Sequence, residues 1–377
     1  MGSTDRVSRR PLFIGSEIYR HPSYGGKHPL AIPRVSSCID LCRALGWLPD
    51  NAYIESPCAT LQQLGVFHTA DYLAALVQAE RGQYVPDDHK ARYNIGVNGN
   101  PVHPKIFSRP ATACGGTLAA VDLVTALPGV VYHPAGGTHH GRPDRASGFC
   151  YLNDPVLGLK ALFAVGFTRV LYLDIDAHHC DGVQDAFFGE SRILMISIHE
   201  SGRWPYTGAL LDHAGGSARN LPVPPGLNDS EFEYLVEEAV LPLSDGFRPQ
   251  VVLVQGGCDA LADDPLSKLE LSNNALWRAV CAAKRLAPRL ILLGGGGYNP
   301  WSVARCWTGM WAILNDIPVP ERLPKESEAV LRSLTWRHSM GRMPPTDWFT
   351  TLADRPRRGP IRDEIRAIAA TTLRCQP

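Results

Sequence analysis

Residues 169–181, RVLYLDIDAHHCD, constrain this chain more than any other stretch. The run opens as a strand: Val170, Leu171, Tyr172 and Leu173 are apolar and β-prone, as in a parallel sheet buried on both faces. It ends in carboxylates and imidazoles. A strand has a side-chain period of two, so Asp174, Asp176 and His178 point to one side if the extended backbone persists, and a turn there only tightens the cluster. Three acidic residues and two histidines within eight positions are hard to bury without pairing or a metal. Asp176 and His178 together offer oxygen and nitrogen donors, which suits Zn²⁺. Asp174 is left to orient a histidine or to hold a second cation. The plain alternative is a strand followed by a polar loop.

What surrounds this strand sets the fold class. Apolar strands are expected at 12–15, 192–198, 251–257 and 290–297, with a short one opening 130–154. Helical patterns fill 35–46, 69–80, 111–127, 154–166, 181–189, 231–240, 271–286 and 301–314, with further helices near 323–335 and 361–372. Thr69 and either Ser272 or Asn273 are candidate caps. Segments 19–34, 84–109 and 199–230 carry no periodicity and read as long loops, the kind that hold function. Strand–helix alternation at this spacing predicts an α/β domain with a central, mostly parallel sheet flanked by helices on both faces. No linker and no internal repeat divides the chain, so residues 1–377 read as a single domain, with 321–377 an extension packing on it.

Composition narrows the function classes. Lys+Arg and Asp+Glu are equal at 37 each, so no global field draws nucleic acid or an anionic membrane. No stretch approaches the ~18 consecutive apolar residues of a membrane span, and the N-terminus has no apolar core long enough for secretion. Ten cysteines without a compact pair suit a reducing compartment, and the expected location is cytoplasmic.

Four strand ends carry reactive residues. Besides the central one they are the tandem His139-His140 after Gly136-Gly137, Asp259 after the strand 251–257, and Tyr298 after four glycines. On a parallel sheet these ends lie together. Asp259 then joins Asp176 and His178 as a third ligand, leaving a position open for water, as catalytic sites do. A histidine pair beside that water suits general acid–base work, with Asp174 and Asp181 as the spare orienting carboxylates. Tyr298 could donate to a developing oxyanion. That constellation describes amide hydrolysis. Each part also has a simpler reading: a surface histidine pair, Asp259 as a helix cap, Tyr298 as packing, the glycines as a tight turn. GGGG lacks the spacing of a dinucleotide loop.

Taken together, GGTHHGR (136–142), GFCYLND (148–154), DIDAHHCDG (174–182), QGGCDALADDPL (255–266), GGGGYN (294–299) and ARCWT (304–308) resemble the zinc-dependent histone deacetylase family, of arginase/deacetylase fold. The likeness spans about residues 18–313. HPLAIPR (28–34) and DLCRALGW (40–47) are similar to the bacterial acetoin-utilisation branch, itself like the class I enzymes. The resemblance implies one Zn²⁺ on Asp176, His178 and Asp259, with His140 as general base and His139 mainly electrostatic. Asp174 and Asp181 pair with the two histidines, and Tyr298 polarises the carbonyl. It implies an acyl-lysine tunnel walled by Phe149 and Trp204, with Gly148 as backbone acceptor, Leu266 at the rim and Arg34 behind the pocket. It also implies K⁺ at an inner site of Asp174, Asp176, His178, Ser197 and Ile198, and at a second near Phe187.

Three departures stand out. The rim acidic residue of many members falls at 97–100, which here reads Val97-Asn98-Gly99-Asn100. Trp204 stands for the commoner phenylalanine, and Cys180 for a glycine. The expected reaction is removal of acetyl or other acyl groups from lysine side chains in proteins or peptides. The alternative is the same chemistry on a small amide such as an acetylated polyamine. Arginase-like two-manganese chemistry needs more carboxylates, and a non-catalytic binder would have no use for the tandem histidines and tyrosine. Nothing in the chain fixes an oligomeric state.

Overall fold

In the computed structural model, residues 10–21 and 24–374 are described. The expected absence of a leader concerns residues lying mostly outside this set. Eight strands form one sheet: β1 (Leu12–Gly15), β2 (Tyr53–Glu55), β3 (Gly129–His133), β4 (Val170–Asp174), β5 (Ile193–Glu200), β6 (Ala218–Val223), β7 (Val251–Gln255) and β8 (Arg289–Leu293). Their order is β2-β1-β3-β8-β7-β4-β5-β6, and every pairing is parallel.

Burial on both faces explains the continuous apolar runs. Along β4, Leu171 and Leu173 face one hydrophobic core while Val170 and Tyr172 face another, and β7 and β8 divide in the same way. Each such side chain contributes about 1.5–3 kcal/mol when withdrawn from water. The first core is closed by helices Val35–Ala44, Asn273–Leu286 and Pro300–Leu314. The second takes Ser108–Ala126 and Asp154–Ala164. Leu331, Ile365 and Ile368, from the C-terminal helices Lys325–Ser333 and Asp363–Arg374, join the first core.

The expected elements form, with differences that have physical causes. Two strands were not expected, β2 and β6, and they are the two edges of the sheet. An edge strand faces ladder partners on one side only, so its pattern is weak, and Pro222 in β6 is tolerated there because no outer neighbour needs its missing N–H. Segment 84–109 contains a helix, Asp87–Tyr93, too short and too polar to show periodicity. The helix expected over 231–240 runs on to Phe247. Its turn Val236–Val240 is π-helical just before Pro242, a widening that accommodates the residue without an N–H. Ser272 is an N-cap position, yet its hydroxyl donates to Asp229 at 2.7 Å rather than capping the helix.

Candidate active site

The four strands that precede the reactive stretches, β3, β8, β7 and β4, are consecutive neighbours in the sheet. All four C-terminal ends therefore open onto one place, where ligands bind in sheets of this kind.

β4 ends at Asp174 and the chain turns at once, with the Asp176 amide donating to Asp174 Oδ1 at 3.0 Å. The turn carries Asp176 and His178 toward β7. Asp259 Oδ2 lies 2.9 Å and Asp176 Oδ1 3.2 Å from His178 Nδ1. Donor atoms of the three residues all fall within 4.8 Å of one another, and all three are buried. Asp259 is no helix cap; its Oδ1 accepts the Ala177 amide at 2.9 Å. Burial disfavours a charged His178, but Asp259 and Asp176 outweigh it and push its pKa up to about 10. Burial, then the charge on Asp176, raises Asp259. Two buried carboxylates that hold a cationic imidazole between them fit a divalent metal in place of that proton, and an Asp₂His donor set suits zinc.

The histidine pair is buried rather than superficial. The loop after β3 is held by Asp154, whose carboxylate accepts the Gly137 and Thr138 amides at 3.0 and 2.8 Å, and by Gln255, which donates to the Gly137 carbonyl at 2.7 Å. The rings of His139 and His140 stand 3.9 Å apart. His139 Nδ1 bonds Asp174 Oδ2 at 2.8 Å, and the Tyr172 hydroxyl donates to the same oxygen at 2.7 Å. His140 Nδ1 bonds Asp181 Oδ1 at 2.6 Å, with Arg142 on the other oxygen of Asp181. Burial works against charge on both rings. Asp174 and Asp176 overcome it at His139, whose pKa rises to about 9. At His140 burial and the neighbouring His139 prevail over Asp181, and the pKa falls to about 4.

The glycines after β8 bring backbone against the cluster. The Gly296 amide donates to Asp176 Oδ2 at 2.6 Å, and a Cβ on Gly296 would run into the Asp259 carboxylate. Tyr298 follows, its amide donating to Asp264 Oδ2 at 2.7 Å and its pKa raised by burial, then by Asp259 and Asp176. Its ring meets Phe149 edge-on at 6.0 Å. Phe149 itself sits at φ +66, a left-handed conformation uncommon for an aromatic residue, with its amide on Asn100 Oδ1 at 3.0 Å.

Two hollows meet here, sharing His140, Gly148, Phe149, His178 and Tyr298 as walls. The outer one reaches the surface past Trp204 and Leu266. The Trp204 and His140 rings meet nearly at right angles, their centres 4.6 Å apart. The inner one is a small chamber of about 80 Å³ that Arg34 lines, with Arg34 Nη1 donating to the Gly295 carbonyl at 2.6 Å. Ser197 is the register partner of Asp174 across β4 and β5, with Ile198 next to it. The Phe187 carbonyl accepts the Ser217 hydroxyl at 2.9 Å.

Several residues at the site escaped the sequence reading. Asp264 lay within QGGCDALADDPL without a role, and Asp154 within GFCYLND. His28, read as a lone loop histidine, packs edge-on against Phe149 at 4.7 Å and bonds the Gly99 carbonyl. Arg109 joins Arg34 in the chamber wall. No spacing pattern could have found these last two, because they reach the site from a loop and a helix start far from the strand ends in sequence.

A parallel α/β sheet with a buried histidine pair, a three-ligand group and a tunnel at its C-terminal edge defines a hydrolase of the deacetylase type. The match to known proteins makes this specific: residues 28–314 match the histone deacetylase domain, and the chain belongs to the histone deacetylase family. It is 32% identical over 333 residues to the acetoin utilization protein AcuC of Bacillus subtilis (strain 168), covering 84% of this chain and 85% of AcuC. A histone deacetylase relative from Caenorhabditis elegans is 34% identical over 315 residues, 81% of this chain, which spans 62% of that longer protein. The crystal structure of an HDAC homologue from Aquifex aeolicus superposes with a TM-score of 0.91 at 36% identity, covering 97% of this chain and 100% of the other. Among the described residues no helix is long and apolar enough to cross a membrane.

Proposed function

We propose that this chain hydrolyses the amide of acyl-lysine side chains in proteins or peptides, with Zn²⁺ held by Asp176, His178 and Asp259. The observation that carries this reading is the path from the surface between Phe149 and Trp204 to the histidine pair and the three-ligand group. It has the form of a slot for an unbranched chain ending in an amide. A zinc ion at these ligands supplies Lewis acidity toward the acyl carbonyl.

The protein's own groups do the rest. His140, fixed through Nδ1 by Asp181, presents Nε2 to take a proton from water as its oxygen attacks the carbonyl carbon. The same nitrogen returns the proton to the lysine amine as the C–N bond breaks. His139, paired with Asp174, keeps positive charge beside the reacting atoms. The Tyr298 hydroxyl donates to the oxygen on which negative charge develops. Phe149 and Trp204 flank the acyl-lysine methylenes, Gly148 accepts the substrate amide N–H, Leu266 borders the rim, and Arg34 faces the chamber behind. K⁺ at Asp174, Asp176, His178, Ser197 and Ile198, and near Phe187, would brace the loops after β4 and β5.

The acetylated-polyamine reading finds less support, because the tunnel's lining includes no carboxylate to meet a second ammonium. The test is hydrolysis of acetyl-lysine and longer acyl-lysine peptides by chelator-stripped and zinc-restored protein. Turnover should follow zinc content, and SAHA, the ligand in the complex of one similar HDAC homologue, should compete with the peptide. Protein carrying one zinc per chain that hydrolyses none of the peptides would end this reading.

A further inference from the structure

The tunnel mouth carries charge of one sign. Arg203 and Lys268 line it together with the neutral Asn94 and Asn98, and none of its lining residues is a carboxylate. Since Lys+Arg and Asp+Glu balance across the chain, this excess is local. Arg203 is already engaged: its Nη2 donates to Glu200 Oε1 at 2.8 Å and its Nη1 to the Leu266 carbonyl at 2.9 Å. Lys268 is different. Its backbone amide donates to Glu200 Oε2 at 2.8 Å, which pins the main chain, while its side chain is exposed. Among the described residues its ammonium has no ion-pair partner within 4 Å. Across the mouth, Asn98 turns its amide to Asn94 Oδ1 at 2.9 Å, pairing one neutral group with another.

We infer that the mouth selects acyl-lysine substrates with a carboxylate beside the acyl-lysine, and that Lys268 is the specificity-determining residue. This rests on the deacylation reading above. A flexible ammonium reads charge rather than geometry, so the carboxylate could belong to a flanking Asp or Glu or to a chain end. A cation in the same place, whether a flanking lysine or a polyamine ammonium, is repelled.

The experiment compares two substrate pairs with the zinc-loaded protein: acetyl-lysine peptides flanked by Glu or by Lys, and N-capped acetyl-lysine with a free or an amidated carboxyl group. The preference expected for the acidic partner is about two- to fivefold in kcat/KM, carried by KM, and it should fade at 1 M salt. Preference in the first pair assigns the carboxylate to a side chain, and preference in the second alone to a chain end. Lys268→Glu should reverse the preference, and Asn98→Asp should shift it toward basic flanks. Equal rates within both pairs, or an acidic preference that survives Lys268→Glu, overturns the inference while leaving deacylation standing. Absence of turnover on all four substrates removes deacylation and the inference with it.

Discussion

His139 and His140 are adjacent, share one loop and are both buried, yet their pKa values part in opposite directions. The difference comes from what each ring faces. His139 is within reach of two carboxylates, with Asp176 3.9 Å from its Nε2 beyond the Asp174 bond, whereas His140 has Asp181 on one side and cationic His139 on the other. A neighbour's charge thus separates two identical side chains into one that readily holds a proton and one that does not, the split the proposed division of roles relies on. Asp181→Asn keeps the bond but removes the charge that steadies a protonated His140. Its kcat should fall at least tenfold with KM little changed, read from initial rates on an acetyl-lysine peptide. Tyr298→Phe should lower kcat by roughly 10²–10³ while zinc content, measured by elemental analysis, stays at the parent level. At this scale the residue types were legible from sequence, since Asp, His and Tyr at strand ends have few structural uses when buried. Which carboxylate serves which histidine was left open by the residues alone, because that pairing depends on loop paths.

Elements explain where the sequence was silent. Among the glycines after β8, Gly296 is required by the approach of backbone to the Asp259 and Asp176 carboxylates rather than by a turn alone. Gly296→Ala would push against Asp259, so zinc affinity should drop about 10- to 100-fold with the circular dichroism spectrum unchanged. Equal zinc affinity in a competition titration would show that the loop yields. The helix beginning at Asp229 offers a pH-dependent counterpart. Glu231 closes its capping box and also bonds Arg362 of the C-terminal segment at 2.7 Å. Burial opposes the charged form, but the bonds from Arg362 win and hold the Glu231 pKa below the usual glutamate value. A depressed carboxylate stabilises the fold above the unfolded-state pKa, ~4.3, and that contribution is lost as pH falls through the folded value. Glu231→Gln should therefore unfold at lower temperature at pH 7 but approach the parent below pH 4, checked by thermal unfolding across that range. The edge strands β2 and β6 were invisible for the opposite reason: half their partners are missing, so little periodicity is imposed on them.

At the scale of the whole molecule, the C-terminal segment is tied to the helix behind the site by a buried cation. Arg305 pairs with Asp354 at 2.7 Å and donates to the Thr351 carbonyl at 2.7 Å, while Trp301 stacks on Trp348 at 5.3 Å. Arg305→Ala leaves buried acceptors without their donor and should cost about 3–5 kcal/mol. Denaturant titration would read this as a lower midpoint, and a midpoint within error of the parent would deny the Arg305 contacts any stabilising role. The sequence alone determined the alternation of apolar strands with helices, hence a parallel sheet, and it marked Asp176, His178, His139, His140, Asp259 and Tyr298 because polar residues at the ends of buried strands must be paired or bound. Only the tertiary structure decided that β3, β8, β7 and β4 stand side by side, that Asp174 serves His139 while Asp181 serves His140, and that Arg203 is engaged at the mouth while Lys268 is not. Periodicity is a local property that any one segment reveals, whereas strand order and charge neighbourhoods arise between segments far apart in the chain, 35 residues for His139 and Asp174 and 81 for His178 and Asp259, and only packing brings them together.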